Sequence, residues 1–250
     1  SITSGGILTF VTAPDYESKS SYSATVTATD GANSTTQDIT VSVTNLNDNA
    51  PVFTSSATFS AAENQTVIGT ISASDADGDA VIYSINGADA ASISINSSSG
   101  VLAFISAPDY ETKTSYALTA TASDGVNSIN QSITINISDL NDNSPVFTSS
   151  ATFSAAENQT SIGTVTATDA DATDSITFSI SGTELSITSA GVLTFASAPD
   201  YETKTSYIAT VTASDGTNST TEDVSINTTN IDEGIISWDY YISDGTDNSP

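Results

Sequence analysis

The chain has 250 residues with no cysteine, methionine or histidine, and three lysines stand against 30 Asp and Glu, a formal net charge of −27. Disulfides and thiolate-held zinc are excluded outright, and nucleic acid and anionic membrane surfaces are repelled. No apolar run reaches the roughly 18 residues that a membrane-spanning helix needs.

Read from its start, Ser-Ile-Thr-Ser-Gly-Gly-Ile-Leu-Thr-Phe at 1–10 matches 186–195, so the chain is expected to open in mid-repeat. Asp15-Tyr16-Glu17 follows, then Ala-x-Asp-Gly with Asp30. The pair recurs as Asp109-Tyr110-Glu111 with Asp124, and as Asp200-Tyr201-Glu202 with Asp215. The interval is 15 residues in all three copies, and the copies lie 94 and then 91 residues apart. This spacing divides the chain into the C-terminal half of a repeat at 1–48, full repeats at 49–142 and 143–233, and a non-repeat tail at 234–250.

Within 51–142, short segments rich in Val, Ile, Thr, Phe and Tyr alternate with turn residues. They predict strands at 57–62, 66–73, 81–85, 92–96, 101–105, 115–122 and 129–137. Seven short strands per repeat place the chain in the all-β class, as tandem seven-stranded Greek-key immunoglobulin-like sandwiches with a partial repeat at the N-terminus. The aromatic pairs Phe53/Phe147, Phe59/Phe153, Tyr83/Phe178 and Phe104/Phe195 are expected in the core. Gly100, Gly6 and Gly191 read as hairpin turns, and Tyr22, Tyr116 and Tyr207 occupy a position suited to a tyrosine corner. The lysines Lys19, Lys113 and Lys204 share one position, two after the Glu, where a local ion pair is expected.

The remaining signal is carboxylate. Asp48 to Asp75 and Asp142 to Asp169 both span 27 residues, joining an Asn-Asp-Asn linker to Asp-Ala-Asp. Solvated surface charges need no such register. Calcium takes 6–8 oxygen ligands, many of them carboxylates, and Glu63, Asp109, Glu111, Asp139, Asp142, Asn143, Asp169, Asp171 and Asp215 form one suitable set. Its eight carboxylates would retain only two negative charges after three divalent cations bind.

These motifs resemble the cadherin repeat across nearly all of residues 1–233. The likeness rests on Ala-Glu-Asn at 62–64 and 156–158, Asp-Tyr-Glu, Asp139-Leu-Asn-Asp-Asn-Ser-Pro-Val-Phe147, Asp-Ala-Asp and Ala-x-Asp-Gly. The resemblance implies three Ca²⁺ per junction. Glu63, Asp109, Glu111 and Asp142 would hold the outermost ion. Glu63, Glu111, Asp139, Asp142, Asp171 and the Leu140 carbonyl would hold the middle one, and Asn143, Asp169, Asp171, Asp215 and the Asn141 carbonyl the third. By the same likeness the first junction uses Asp15, Glu17, Asp48, Asn49, Asp75, Asp77 and Asp124, with Asn45 in place of the leading linker Asp. The last keeps Glu157, Asp200 and Glu202, with Glu233 standing in for Asp, and is expected to hold one or two ions.

No imidazole, thiolate or guanidinium is available for catalysis, and the paired carboxylates recur without a cleft-forming insertion, so no enzyme is expected. The reading is a calcium-rigidified extracellular rod, a structural or adhesive segment of a surface adhesin or filament that is secreted or held at the cell surface. The Ser/Thr/Asn-rich surface resembles the bacterial cadherin-like type. Expected partners are Ca²⁺, other copies in a head-to-tail polymer with Trp238–Ile242 as donor strand, and cell-surface molecules or glycans. The alternative is a calcium-dependent carbohydrate-binding module contacting ligand through Tyr16, Tyr110, Tyr201 or the Trp238–Tyr241 cluster.

Overall fold

Along Ser115–Ser123 every second side chain points inward, with Leu118, Ala120 and Ala122 buried and Thr119 and Thr121 on the opposite face. This two-residue period, carried by β-branched and small side chains, fits a half-buried strand and no helix. It is repeated throughout the computed structural model, which describes residues 1–171 and 175–234. The chain forms two units, Ser1–Leu140 and a second that begins at Asn141.

In the first unit, β1 (Ser21–Thr29) and β2 (Ser34–Ser42) make an antiparallel hairpin. There follow β3 (Val52–Phe53), β4 (Thr58–Ala62), β5 (Val67–Thr70), β6 (Ala73–Ser74), β7 (Ile82–Asn86), β8 (Ile93–Ile95), β9 (Val101–Phe104), β10 (Ser115–Ser123) and β11 (Ser128–Ser138). One sheet has the order β4-β11-β10-β7 and the other β5-β9-β8, while β3 pairs with β6. The β4–β11 pairing is parallel.

The second unit repeats this plan with β12 (Val146–Phe147), β13 (Thr152–Ala156), β14 (Ser161–Thr164), β15 (Ala167–Thr168) and β16 (Thr177–Ile180). It is completed by β17 (Leu185–Ile187), β18 (Val192–Phe195), β19 (Ser206–Ser214) and β20 (Ser219–Thr229). Its sheets run β13-β20-β19-β16 and β14-β18-β17, with β12 paired to β15. These are immunoglobulin-like sandwiches.

The seven expected strands are present, but the second is broken and a short piece precedes the first. Val52–Phe53 forms an extra leading piece, and the continuous strand expected at 66–73 divides into β5 and β6, which pair with different partners. The cause is local. The register shifts between Val67 and Gly69, and Ile71, fully buried, donates its N–H to the Gly100 carbonyl at 3.0 Å. Gly100 therefore does more than turn a hairpin: its φ is +71°, and a Cβ there would stand 2.1 Å from the Ile71 oxygen. Gly191 meets the Val165 oxygen in the same way at 2.2 Å. A helical turn at Ala90–Ser92, absent from the sequence reading, precedes β8.

Each sandwich has its own core. Ile71, Leu102, Ile133 and Ile135 are fully buried in the first, and Val165, Leu193, Val211, Val224 and Ile226 in the second. Each such side chain contributes roughly 1.5–3 kcal/mol relative to exposure. Tyr83, Phe104 and Phe195 are buried as expected, and Phe53, Phe59, Phe147, Phe153 and Phe178 pack partly buried against these cores. The Tyr116 ring contacts Phe104 at 4.9 Å and Tyr207 contacts Phe195 at 5.0 Å. Among the described residues no bond from the hydroxyl of either Tyr to the backbone accompanies this, so ring packing rather than a tyrosine corner fixes them. The Trp238–Ile242 segment lies outside the described residues.

Candidate metal centres

The Asp-Tyr-Glu segments fold as turns closed by their own first residue. Asp15 Oδ1 accepts the Glu17 N–H at 3.0 Å, and its Oδ2 accepts the Ser18 hydroxyl at 2.8 Å. Asp109 does the same with Glu111 and Thr112, and Asp200 with Glu202 and Thr203. The Ser18, Thr112 and Thr203 hydroxyls, before any other group, hold these three carboxyls below the ordinary aspartate range. The loop stays charged and pre-shaped.

In the first unit, one cluster is assembled from three distant segments. Carboxylate oxygens of Glu17, Asp48 and Asp77 all lie within 4.8 Å of one another. Asp77 organises the linker: Oδ2 accepts the Asp48 and Asn49 amides at 3.1 and 2.8 Å, and Oδ1 accepts the Asn49 side-chain amide at 2.9 Å. Asn45, where the repeat pattern has Asp, donates to the Asp77 carbonyl at 2.8 Å. Loss of solvent, and then the neighbouring Asp15 and Asp77 carboxyls, push the Glu17 pKa up.

Asp75 and Asp77 form a further trio with Asp79, a residue the sequence reading passed over. Asp124 closes the β10–β11 turn by accepting the Val126 and Asn127 amides at 2.7 and 2.6 Å. Burial pushes its carboxyl up, but these amides outweigh it and hold it low. The Asn127 side chain then reaches back to Asn47 Oδ1 and the Asn49 carbonyl, at 2.9 and 3.0 Å. That clasp also escaped sequence reading, although an Asn three residues after the Ala-x-Asp-Gly Asp occurs in every copy, at Asn33, Asn127 and Asn218.

Glu63, only 3% exposed, accepts the Tyr110 N–H on Oε2 at 2.7 Å and the Leu140 N–H on Oε1 at 2.8 Å. Its carboxylate lies with those of Glu111 and Asp139. Two charge-assisted bonds to backbone amides are what permit a buried carboxylate here.

In the second unit, Asp171 accepts the Asn143 backbone and side-chain amides at 2.9 and 3.0 Å, and Asp169 accepts the Asp171 amide at 3.0 Å. Asp142 accepts from the Asn143 side chain at 2.9 Å. Asp215 binds the Thr217 and Asn218 amides at 2.6 Å each, and Asn218 clasps Asn141 Oδ1 at 2.7 Å. Glu157 repeats Glu63, accepting from Tyr201 and Ile231 at 2.8 and 2.7 Å beside Asp200 and Glu202. Glu233 turns away from that trio and accepts from Asn158 at 2.6 Å.

The donor set suits a hard cation. Asp75 Oδ2, Asp169 Oδ2 and Asp215 Oδ2 are buried without a hydrogen-bond partner, a costly state for a charged oxygen unless a cation meets it. Lysine does not fill this role. Lys113 pairs with Asp89 and Lys204 with Glu184, not with the Asp-Tyr-Glu carboxylates, and all three ammonium groups sit 4.4–4.6 Å from a Tyr ring. The ion pairs expected of Lys113 and Lys204 are therefore made across the fold rather than within the local loop.

For glycan stacking, Tyr110 is unsuited because it packs against the first core; Tyr16 is 38% exposed. The Trp238–Tyr241 cluster lies outside the described residues. No helix among the described residues is long and apolar enough to cross a membrane.

No family model matches the chain. It is 35% identical to human protocadherin Fat 4 over 98% of its own length and 5% of that protein's, so it spans a small part of this relative. Among solved structures, mouse cadherin-23 EC22-24 is similar with a TM-score of 0.69 and 26% identity, over 87% of this chain and 77% of that one. Protocadherin gamma B2 extracellular cadherin domains 3-6 gives 0.71 and 26%, over 87% and 62%. These proteins are cadherins and not enzymes. The relatives with a stated source are human and mouse, and they lend the expected bacterial type no support.

Proposed function

Because this chain is built of immunoglobulin-like cadherin repeats, we propose that it is a segment of an extracellular or cell-surface adhesive rod stiffened by Ca²⁺. The observation that carries this is the convergence of Glu17, Asp48 and Asp77 without a cationic side chain among them. Like charges so placed repel one another unless something positive joins them.

In this proposal Asp15, Glu17, Asp48, Asn49, Asp75, Asp77 and Asp124 are ligands joining the half-repeat to the repeat that follows. Glu63, Asp109, Glu111, Asp139 and the Leu140 carbonyl, and Asn143, Asp142, Asp169, Asp171, Asp215 and the Asn141 carbonyl, are ligands of the same kind. Glu157, Asp200 and Glu202 form a smaller last set without Glu233. Bound Ca²⁺ would supply the positive charge that these groups lack. The protein's part is to hold the oxygens: Asp77 ties both linker amides, Asn127 ties the turn to the linker, and Glu63 ties the Asp-Tyr-Glu loop to Leu140.

The boundaries 1–48, 49–142, 143–233 and 234–250 are part of the proposal, as is head-to-tail self-association of copies. A bacterial source is the finer part of the proposal, supported by the Ser/Thr/Asn/Asp-rich composition, the absence of cysteine and the scarcity of basic residues.

The test is calorimetric titration of chelator-stripped protein with calcium, with magnesium as control and small-angle scattering followed in parallel. Several ions bound in the ~10⁻⁴–10⁻³ M range of extracellular modules, with a longer and stiffer particle, would support it. No binding at millimolar calcium would leave these carboxylates as an acidic surface and the likeness one of fold alone.

A further inference from the structure

We infer that the linker 139–143 between the two full repeats is a single pivot, with Leu140 moving as part of the first unit and Asn141 as part of the second. Each side of the pivot has its own polar clamp, and each clamp occurs twice in the chain.

The upstream clamp is a buried glutamate. Ser138 ends β11 opposite Ala62, and its carbonyl accepts the Glu63 N–H at 3.2 Å. The Glu63 carboxylate then takes the Leu140 N–H at 2.8 Å, and the Asp139 carboxylate lies within 4.8 Å of it. Glu157 holds the Ile231 N–H in the same manner at 2.7 Å. The Leu140 side chain is 50% exposed, so a backbone bond rather than packing fixes this residue.

The downstream clamp is an asparagine amide. Asn218 is fixed in the β19–β20 turn by its N–H on Asp215 Oδ1 at 2.6 Å, and its carbonyl accepts the Ser214 hydroxyl at 3.1 Å. Its side-chain amide donates to Asn141 Oδ1 at 2.7 Å. Further on, Asp171, only 1% exposed, accepts the Asn143 N–H at 2.9 Å, and Pro145 is buried. Asn127 holds Asn47 Oδ1 in the same way at 2.9 Å.

The two clamps meet at the Leu140–Asn141 peptide, which is also where the two units divide. That peptide is planar, so the remaining freedom lies in the φ and ψ of these two residues. A hinge needs no more than this. Both clamps are made of protein donors and acceptors alone, so the pivot stands apart from the calcium reading. Whatever restrains the joint has two residues to order instead of five, and conformational entropy is lost residue by residue.

The experiment measures residual dipolar couplings and nitrogen relaxation of backbone amides on the full chain in chelator. Two alignment tensors of different magnitude are expected, with Leu140 fitting the first unit's and Asn143 the second's. Both amides should have order parameters near the ~0.85 of rigid backbone. Asn218→Ala should lower the Asp142 order parameter below about 0.6 and leave Leu140 as it is. Asn33→Ala, at the matching place in the β1–β2 turn, should leave the linker unchanged. Four results would each overturn the inference. They are one tensor fitting both units, Leu140 or Asn143 fitting neither, an unchanged linker in Asn218→Ala, or an equal effect of Asn33→Ala.

Discussion

Glu17 and Asp77 stand 60 residues apart in sequence and bring carboxylate oxygens within 4.8 Å of one another. The lysine nearest to Glu17 in sequence, Lys19, lies over the Tyr22 ring at 4.5 Å instead of beside the pair. Two uncompensated charges at this separation are stable only when something positive joins them or one takes up a proton.

Asp77→Asn separates these effects. Calcium affinity of the first set is expected to fall by about tenfold or more, the scale seen when groups around a metal are altered. The Asn49 amide loses a charged acceptor and should exchange faster with solvent. Calorimetry and hydrogen exchange on the same samples read both.

Glu157 is 1% exposed and holds two backbone amides 44 and 74 residues away. Glu157→Ala leaves both N–H groups without their acceptor, and each such loss costs about 1–3 kcal/mol. Urea unfolding in chelator should show the second unit destabilised by about 2–6 kcal/mol. Glu157→Gln keeps one carbonyl acceptor and should lose less.

Glycine positions give a steric contrast. Gly100→Ala drives a Cβ into the Ile71 carbonyl at 2.1 Å, at a φ of +71°. It should cost about 3 kcal/mol or more, from backbone strain and loss of the Ile71 bond. Gly125 has a φ of +97° but nothing within 4 Å of an added Cβ. Gly125→Ala should cost only the left-handed penalty of about 1–2 kcal/mol. Thermal unfolding of the two variants distinguishes them directly.

Asp89 supplies a pH dependence free of the proposed metal ligands. The hydrogen bond from the Lys113 ammonium, then the Ala117 amide, hold its carboxyl below the ordinary range. A depressed folded-state pKa means that the stabilisation is present above the ordinary aspartate value, near pH 4, and is lost as pH falls through the depressed one. Asp89→Asn should therefore lower stability at pH 7 by about 1 kcal/mol or less, as partly exposed pairs do. The difference between the two proteins should vanish at strongly acidic pH. Matched denaturation series with chelator present measure it.

Much of this protein is legible along the chain because the relevant physics is short-ranged. The two-residue period of Ser115–Ser123, the turn closed by Asp109 on Glu111 and Thr112, and the turn closed by Asp124 on Val126 and Asn127 each need only a few neighbouring residues. Those same turns keep carboxylates at constant intervals, so the proposed ligands could be picked out from spacing.

What tertiary structure alone decided are partnerships across sheets. Strand register brings Asn127 to Asn47, Lys113 to Asp89 and Glu63 to both Tyr110 and Leu140, pairs separated by 24 to 80 residues. It also breaks 66–73 at Ile71 and turns Glu233 toward Asn158. No local propensity encodes these contacts. They exist because two sheets must bury one apolar face each, and closing that core determines which distant polar groups meet at its edges.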